Sequence, residues 1–390
     1  MKLAELQELE SRWVMRTYAR MPVEFVRGEG ARLWDSDGKR YLDFLAGISV
    51  CSVGHCHPAV VEAVREQVGR LTHTSNLYLT EGGVRLAERL CESSLGGRAF
   101  LCNSGTEANE CVIKLVRKHA HDRSISKPEI VVLEGAFHGR TMGSLSATPG
   151  LATNESFTPY LPGFAPVPRE NVDALRAAVG DRTAAVMLEP IQGETGVHVI
   201  PDEMVAAARE LCDATGALLI FDEIQTGMGR TGSLWAYEQM SVRPDVMTTA
   251  KALGGGLPVG ACVTSPETAD VLDRGDHGST FAGGPLVATA SLAAFDVLDD
   301  GELLRRVREL GGKLSERLMG IDAISEVRGR GLMLGARLQG VDAKDAAARA
   351  LEAGLIVNPI GSDTLRFLPP LVIGEAEIDE AVDILGRTLL

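Results

Sequence analysis

A chain of 390 residues with 45% hydrophobic and 24% charged side chains has an ordinary globular composition, with enough apolar material for a sizeable core in two or three domains. Its formal net charge of −14 argues against nucleic acid and anionic membranes as partners, because both demand basic patches. No apolar stretch approaches the roughly 18 residues that a membrane helix requires. The opening MKLAELQELE carries three acids, unlike a signal or transit peptide, so a cytoplasmic protein is expected. The seven cysteines are scattered, odd in number and lack a C-x-x-C, which predicts free thiols.

At the start of the chain, polar and apolar residues at helical spacing predict a helix over Leu3 to Thr17, with Leu6, Leu9 and Trp13 on one side. EFVRGEG, ARLWDSDG and KRYLDFLAG follow as alternating runs split by Gly and Asp-Gly, the pattern of a small antiparallel meander. In CSVGHCHP, residues Cys51, His55, Cys56 and His57 look like metal ligands, but their spacing fits none of the common zinc patterns. Pro58 suits the first turn of a helix over Ala59 to Leu71, and no metal is expected.

The segment GGRAFLCNSG predicts a short strand ending at Asn103, Ser104, Gly105 and Thr106, then a helix over Glu107 to His119. Such a junction aims free N–H groups and the helix dipole at one point, which favours a phosphate. Capping by Ser104 or Thr106 would also explain an S-G-T. The apolar run Ile130 to Leu133 leads to EGAFHGRT, with Phe137, His138 and Arg140 at a strand end. An aromatic face can stack on a flat ring, and a guanidinium fork matches a carboxylate. A core Phe, a surface Arg and a hydrogen-bonded His are the alternative, and His138 is assigned no chemistry.

The strand Ala184 to Leu188 ends in EPIQGETG, bringing Glu189, Gln192 and Glu194 to the same edge, and Asp202 to Thr215 is an amphipathic helix. Next, Ala217 to Phe221 form a continuous apolar run that stops on Asp222 and Glu223. That is how a strand buried on both faces reads, and its carboxyl end is where open α/β sheets keep ligand sites. Val246 to Ala250 deliver Lys251 into the glycines 254–256. Burial strips an ammonium of hydration, lowers its pKa and makes it a nucleophile. An amine that condenses with an aldehyde, beside a carboxylate that pairs with a ring nitrogen, meets the needs of pyridoxal phosphate chemistry. A capping Asp and a solvated Lys are the competing reading.

The runs IFDEIQTGMGRTG and TTAKALGGGLPVGA resemble the cofactor core of the class III pyridoxal phosphate-dependent aminotransferases. The similarity extends from about Tyr18 to the C-terminus, and within the family the chain looks most like the acetylornithine aminotransferases. The resemblance implies the α/β type I fold of pyridoxal phosphate-dependent transferases, a large domain with a mostly parallel sheet plus a smaller α+β domain. The expected division is an N-terminal segment of helix and meander over 1–58, packing with the small domain. The large cofactor domain follows over 59–284, and the small domain over 285–390.

The resemblance also implies pyridoxal 5'-phosphate held as a Schiff base on Lys251, with Asp222 at the ring nitrogen and Ser104, Gly105 and Thr106 at the phosphate. Phe137 and Ile224 would pack on opposite ring faces, and Gln225 would donate to the phenolic oxygen. Ser279 and Thr280, in HGSTFAGGP, would reach the neighbouring site of a homodimer with shared active sites. Arg140 would bind the α-carboxylate of the substrate, Glu194 would pair with Arg366, and Tyr18 would lie near the substrate pocket. Thr195 stands where the family often has glycine, a departure that could narrow the pocket. The implied reaction, a step of arginine biosynthesis, moves the terminal amine of N2-acetylornithine to 2-oxoglutarate by a ping-pong route, giving N-acetylglutamate 5-semialdehyde and glutamate. Transfer from ornithine, succinylornithine, acetyl-lysine or 4-aminobutyrate, or aminomutase chemistry, would use the same cofactor residues. A non-enzymatic binding role is disfavoured by the presence of both Lys251 and Asp222.

Overall fold

The computed structural model describes residues 2–150 and 154–389. The first helix spans Leu3–Trp13 rather than running to Thr17, because Val14 is already extended. Beyond Trp13 the β-branched Val14 and Thr17 lower helix propensity, and no residue of this helix is buried to offset fraying. The strands β1 (Phe25–Glu29), β2 (Arg32–Asp35) and β3 (Arg40–Asp43) pair antiparallel, as the meander pattern predicts. The next helix covers Pro58–Val68, shorter than the expected Ala59 to Leu71, with Pro58 in its first turn and Gly69 as its last, capping residue. Glycine's backbone entropy makes it a poor helix continuer.

Further strands are β4 (Ala99–Cys102), β5 (Glu129–Leu133), β6 (Phe164–Val167), β7 (Thr183–Leu188), the short pair β8 (Ile191–Gln192) and β9 (His198–Val199), then β10 (Leu218–Asp222), β11 (Val246–Thr249) and β12 (Gly260–Thr264). Seven of these make the central sheet in the order β4-β12-β11-β10-β7-β5-β6. Strands β11, β10, β7, β5 and β6 are parallel, while β12 is antiparallel to both neighbours. The reason is the connection after β11: a parallel return needs a dozen or more residues, and the segment 250–259 is too short. Strands β7 and β10 are buried along their whole length, which is why they read as unbroken apolar runs. Each fully buried Leu, Ile or Phe there contributes on the order of 1.5–3 kcal/mol.

The helix Pro285–Leu298 packs on Pro58–Val68 and Glu81–Glu92, burying Val60, Leu86, Leu90, Ala294 and Phe295. A second sheet combines β13 (Ile324–Arg330), β14 (Met333–Leu338), β16 (Asn358–Ile360) and β17 (Thr364–Phe367) in the order β13-β14-β17-β16, all antiparallel. Between them β15 (Leu355–Ile356) joins β3 in parallel, so the two ends of the chain share one small sheet. The wholly buried Arg230 ties three segments together. Its guanidinium donates to Ser49 Oγ (2.9 Å), Ser52 Oγ (2.8 Å), Leu332 O (3.0 Å) and Pro369 O (2.6 Å). Burial pushes it down to about 9, but four neutral acceptors satisfy its donors.

Candidate active site

The registers Phe221↔Leu188, Val132↔Met187 and Asp222↔Thr248 align the carboxyl ends of β5, β7, β10 and β11. They open on a cavity of about 470 Å³. It brings together nine of the expected residues: Ser104, Gly105 and Thr106 on one wall, Phe137 and Arg140 on another, then Asp222, Ile224, Gln225 and Lys251. His138, Glu189 and Val50 also line it.

Asp222 is buried at the end of β10 and held by three donors. Asn109 Nδ2 donates to Oδ2 at 2.8 Å, His138 Nδ1 lies 2.7 Å from the same oxygen, and the N–H of Ile224 donates to Oδ1 at 3.1 Å. Three donors thus satisfy the acceptors of a buried carboxyl group. Lys251 follows β11 in a left-handed conformation, φ 45°, at the start of a short 3-10 turn. Such a backbone costs a lysine on the order of 1–3 kcal/mol and persists where surrounding structure imposes it. Loss of water pushes its ammonium below the usual lysine range; Glu194 opposes the shift and Arg366 adds to it.

Ser104 is the N-cap of the helix Gly105–Asp122, its Oγ accepting from Glu107 N at 3.3 Å. Capping and anion binding are therefore compatible at this terminus, since other N–H groups of the first turn stay free of the cap. Gly105 is required for closeness: a Cβ there would lie 2.7 Å from Ile224 Cδ1. The Phe137 ring stands 5.3 Å from the Arg140 guanidinium. Arg140 is exposed and makes no ion pair among the described residues, so its fork is available to a ligand.

Glu194 and Arg366 meet as expected, Nη1 to Oε1 at 2.7 Å. Arg366 is only 1% exposed and forks its Nε and Nη2 onto Asn358 Oδ1 at 3.1 and 2.7 Å. Gln225 bridges the pair, donating to Glu194 Oε1 at 3.3 Å and accepting from Arg366 at 3.2 Å. Burial alone would raise the Glu194 carboxyl, but Arg366 and Lys251 hold it below the ordinary range.

Five expected residues do not line this cavity in the single chain: Glu194 and Arg366, which touch its wall through Gln225, and Tyr18, Ser279 and Thr280. Tyr18 is 74% exposed with Arg20 stacked 5.3 Å over its ring, and Thr280 is exposed. Ser279 reaches only the rim, where its Oγ accepts from Asn103 Nδ2 at 3.0 Å. Thr195 is half-buried, its hydroxyl donating to Gly135 O at 3.3 Å.

The family model for class III aminotransferases matches residues 14–389. The chain belongs to that family. The acetylornithine aminotransferase of Methanocaldococcus jannaschii is 45% identical over 386 residues, covering 97% of this chain and 96% of the relative. That of Mycobacterium tuberculosis is 48% identical over 390 residues, covering 98% and 96%. Among solved structures, the ornithine aminotransferase from Toxoplasma gondii superposes with a TM-score of 0.95 at 34% identity, covering 100% of this chain and 95% of that one. The acetylornithine aminotransferase from Elizabethkingia anophelis gives 0.89 at 32%, covering 100% and 99%.

Three polar residues of this aminotransferase's site carry no role in the sequence reading. Asn109 and His138 contact Asp222 from 113 and 84 positions away, a separation that no local pattern reveals. Glu189 was recoverable: it is a strand-end acid like Asp222, and the rule that selects one selects the other.

Proposed function

We infer that this aminotransferase moves the terminal amine of N2-acetylornithine to 2-oxoglutarate, using pyridoxal 5'-phosphate. The residues suit that cofactor, since a helix N-terminus, a buried lysine and Asp222 face one cavity with Phe137 and Ile224 beside them. When bound, the cofactor supplies an aldehyde for amines and a ring that accepts electrons.

In this reading Lys251 would hold the cofactor through Nζ, its ammonium pushed below the usual range by burial. The same Nζ would move the proton at the substrate carbon that bears nitrogen. Asp222 would pair with the ring nitrogen, and His138 and Asn109 orient its carboxyl group. Ser104, Gly105 and Thr106 receive the phosphate; Gln225 attends the phenolic oxygen.

The arrangement that carries the reading is Glu194 on Arg366, joined to the cavity by Gln225, with an unpaired Arg140 on the cavity wall. Arg140 serves a carboxylate of either substrate. While Glu194 neutralises Arg366, the site tolerates the donor's uncharged chain; when Glu194 moves off, Arg366 clamps the second carboxylate of 2-oxoglutarate. The acetylornithine aminotransferases at 45–48% identity over nearly the whole chain support the acetylated donor.

We also take the chain to act as a cytoplasmic homodimer, with Ser279 and Thr280 serving the partner's site and Tyr18 lying near the substrate pocket. Its units would be 1–58 packed with 285–390, around a cofactor domain over 59–284. Initial rates with N2-acetylornithine, ornithine, succinylornithine, acetyl-lysine and 4-aminobutyrate, each with 2-oxoglutarate, test the substrate. Acetylornithine should give the highest kcat/KM, and a preference for another amine by tenfold or more, on the order of one pocket contact, would overturn it.

A further inference from the structure

Two buried carboxyl groups sit side by side on the cavity wall. Glu189 follows β7 immediately and Asp222 ends β10, and the register Phe221↔Leu188 makes them neighbours across the sheet. They are served unequally. Asp222 has Asn109, His138 and the N–H of Ile224. Glu189, 5% exposed, has one donor, the N–H of Phe137 on Oε1 at 2.8 Å. Its Oε2 makes no hydrogen bond among the described residues, no cation pairs with it there, and the side chain lines the cavity.

Adjacent buried carboxylates without a cation between them do not both ionise. Asp222 takes three donors and Glu189 one, so the proton goes to the poorly served Glu189. We propose that Glu189 is a further positioning residue of the site: a neutral carboxylic acid whose Oε2–H donates a hydrogen bond to an anionic oxygen of the ligand in the cavity.

Electrostatics agree with the geometry. Burial, then the charge of Asp222, holds Glu189 well above the usual carboxylate range, against partial opposition from the Phe137 N–H and the Lys251 ammonium. Glu194 acts in the same direction as Asp222. Arg140 and His138 also line this cavity, but Arg140 is exposed and His138 is spent on Asp222. An ionised Glu189 would repel an incoming phenolate or carboxylate oxygen, whereas the acid form greets it with a donor. The inference rests on the pyridoxal phosphate reading above, because it names that ligand's ring oxygen or the substrate's carboxylate as the acceptor.

Two variants test it, each checked for folding by thermal melting. Glu189→Gln keeps an acceptor for Phe137 N–H and a neutral donor toward the cavity; Glu189→Leu keeps neither. Each full-length protein is titrated with pyridoxal 5'-phosphate and, once loaded, with 2-oxoglutarate, and the pH midpoint of the bound cofactor's absorbance is recorded. The expectation is a midpoint in Glu189→Gln within about 0.3 of wild type, because no charge is removed, and affinities within about threefold. Glu189→Leu should weaken one of the two ligands by about tenfold, as loss of one buried hydrogen bond does. Weakened pyridoxal phosphate identifies the ring oxygen as acceptor, and weakened 2-oxoglutarate identifies the carboxylate.

A midpoint shifted by a full unit in Glu189→Gln means that Glu189 is ionised and overturns the proposal. Unchanged affinity for both ligands in Glu189→Leu overturns it as well. An infrared carbonyl band of a protonated carboxylic acid, shifting on ligand addition in wild type and missing in Glu189→Gln, is the independent readout; its absence from wild type would also refute the idea. Failure of the wild type itself to bind pyridoxal phosphate would instead refute the functional reading.

Discussion

At the carboxyl edge of the central sheet Asp222 and Gln225 are buried, and with the half-buried Glu194 and the buried Arg366 of β17 they are hydrogen-bonded to one another or to neighbouring groups. The N-terminal arm and the loops around Leu79 and Phe281 behave in the opposite way, leaving Trp13, Met15, Leu77, Leu79 and Phe281 in water. Leu79 is 92% exposed. A single chain thus buries polar groups at its cavity and leaves large apolar side chains of the arm and these loops exposed, and exposed apolar patches mark contact surfaces. The two regions are joined: Asn76 donates to the carbonyls of Ser279 and Ala282, and Asn103, a cavity residue, donates to Ser279 Oγ.

The largest effect belongs to the cavity floor. Lys251→Ala removes both the nucleophile and the proton carrier, and turnover should fall by about 10²–10⁴-fold from proton transfer alone, in a protein that still melts cooperatively. Activity near wild type would end the assignment. Asp222→Asn keeps the shape but discards the charge, and a loss of about 10²-fold is expected from removal of one electrostatic partner of the reacting group. Steady-state rates with cofactor occupancy measured by absorbance decide it; a loss below threefold at full occupancy counts against the role.

The rim gives a different kind of test. If Thr280 serves its neighbour, mixing Lys251→Ala subunits with Thr280→Ala subunits rebuilds one intact site in each mixed dimer. Equal mixing should then restore about a quarter of wild-type activity after subunit exchange. Exchange without recovery would keep Thr280 within its own subunit.

Between cavity and rim stands the Glu194–Arg366 pair. Glu194→Ala leaves Arg366 permanently available to carboxylates, so single-turnover rates should shift toward glutamate and away from acetylornithine by about tenfold, the scale of one charged contact. Equal slowing of both half-reactions would reduce Glu194 to a structural partner. The smallest effect is on stability without cofactor. Lys251 has a depressed pKa in the folded chain, so between that value and the unfolded value near 10.4 the folded state binds fewer protons. Stability should therefore rise with pH across that window, and Lys251→Met should flatten the slope in pH-dependent melting. An identical slope in both proteins would place the ammonium in water.

Much of the cavity was legible because its parts obey local rules. Asp222 and Lys251 end buried strands, and Ser104 opens a helix, so apolar runs bounded by polar residues point to them directly. The helix Asp202–Thr215 matches its expected bounds because Gly216 supplies the left-handed cap that stops it. The first helix was read four residues too long, since periodicity carries no information about whether a core is present to hold the last turn. The family motifs supplied the long-range pair of Glu194 and Arg366, which 172 positions separate and no spacing rule connects.

By itself, the sequence determined that this chain makes a sheet of buried strands, that acids and a lysine stand at the strand ends, and that a phosphate-sized anion suits the turn at Ser104. Those are consequences of burial patterns and backbone chemistry within a few residues. Only the tertiary structure decided that β12 runs against its neighbours, that Asn109 and His138 hold Asp222, and that Glu189 lacks a second donor. Each of these depends on which distant groups compete for the same hydrogen bond or the same space, and that competition exists only once the chain has folded.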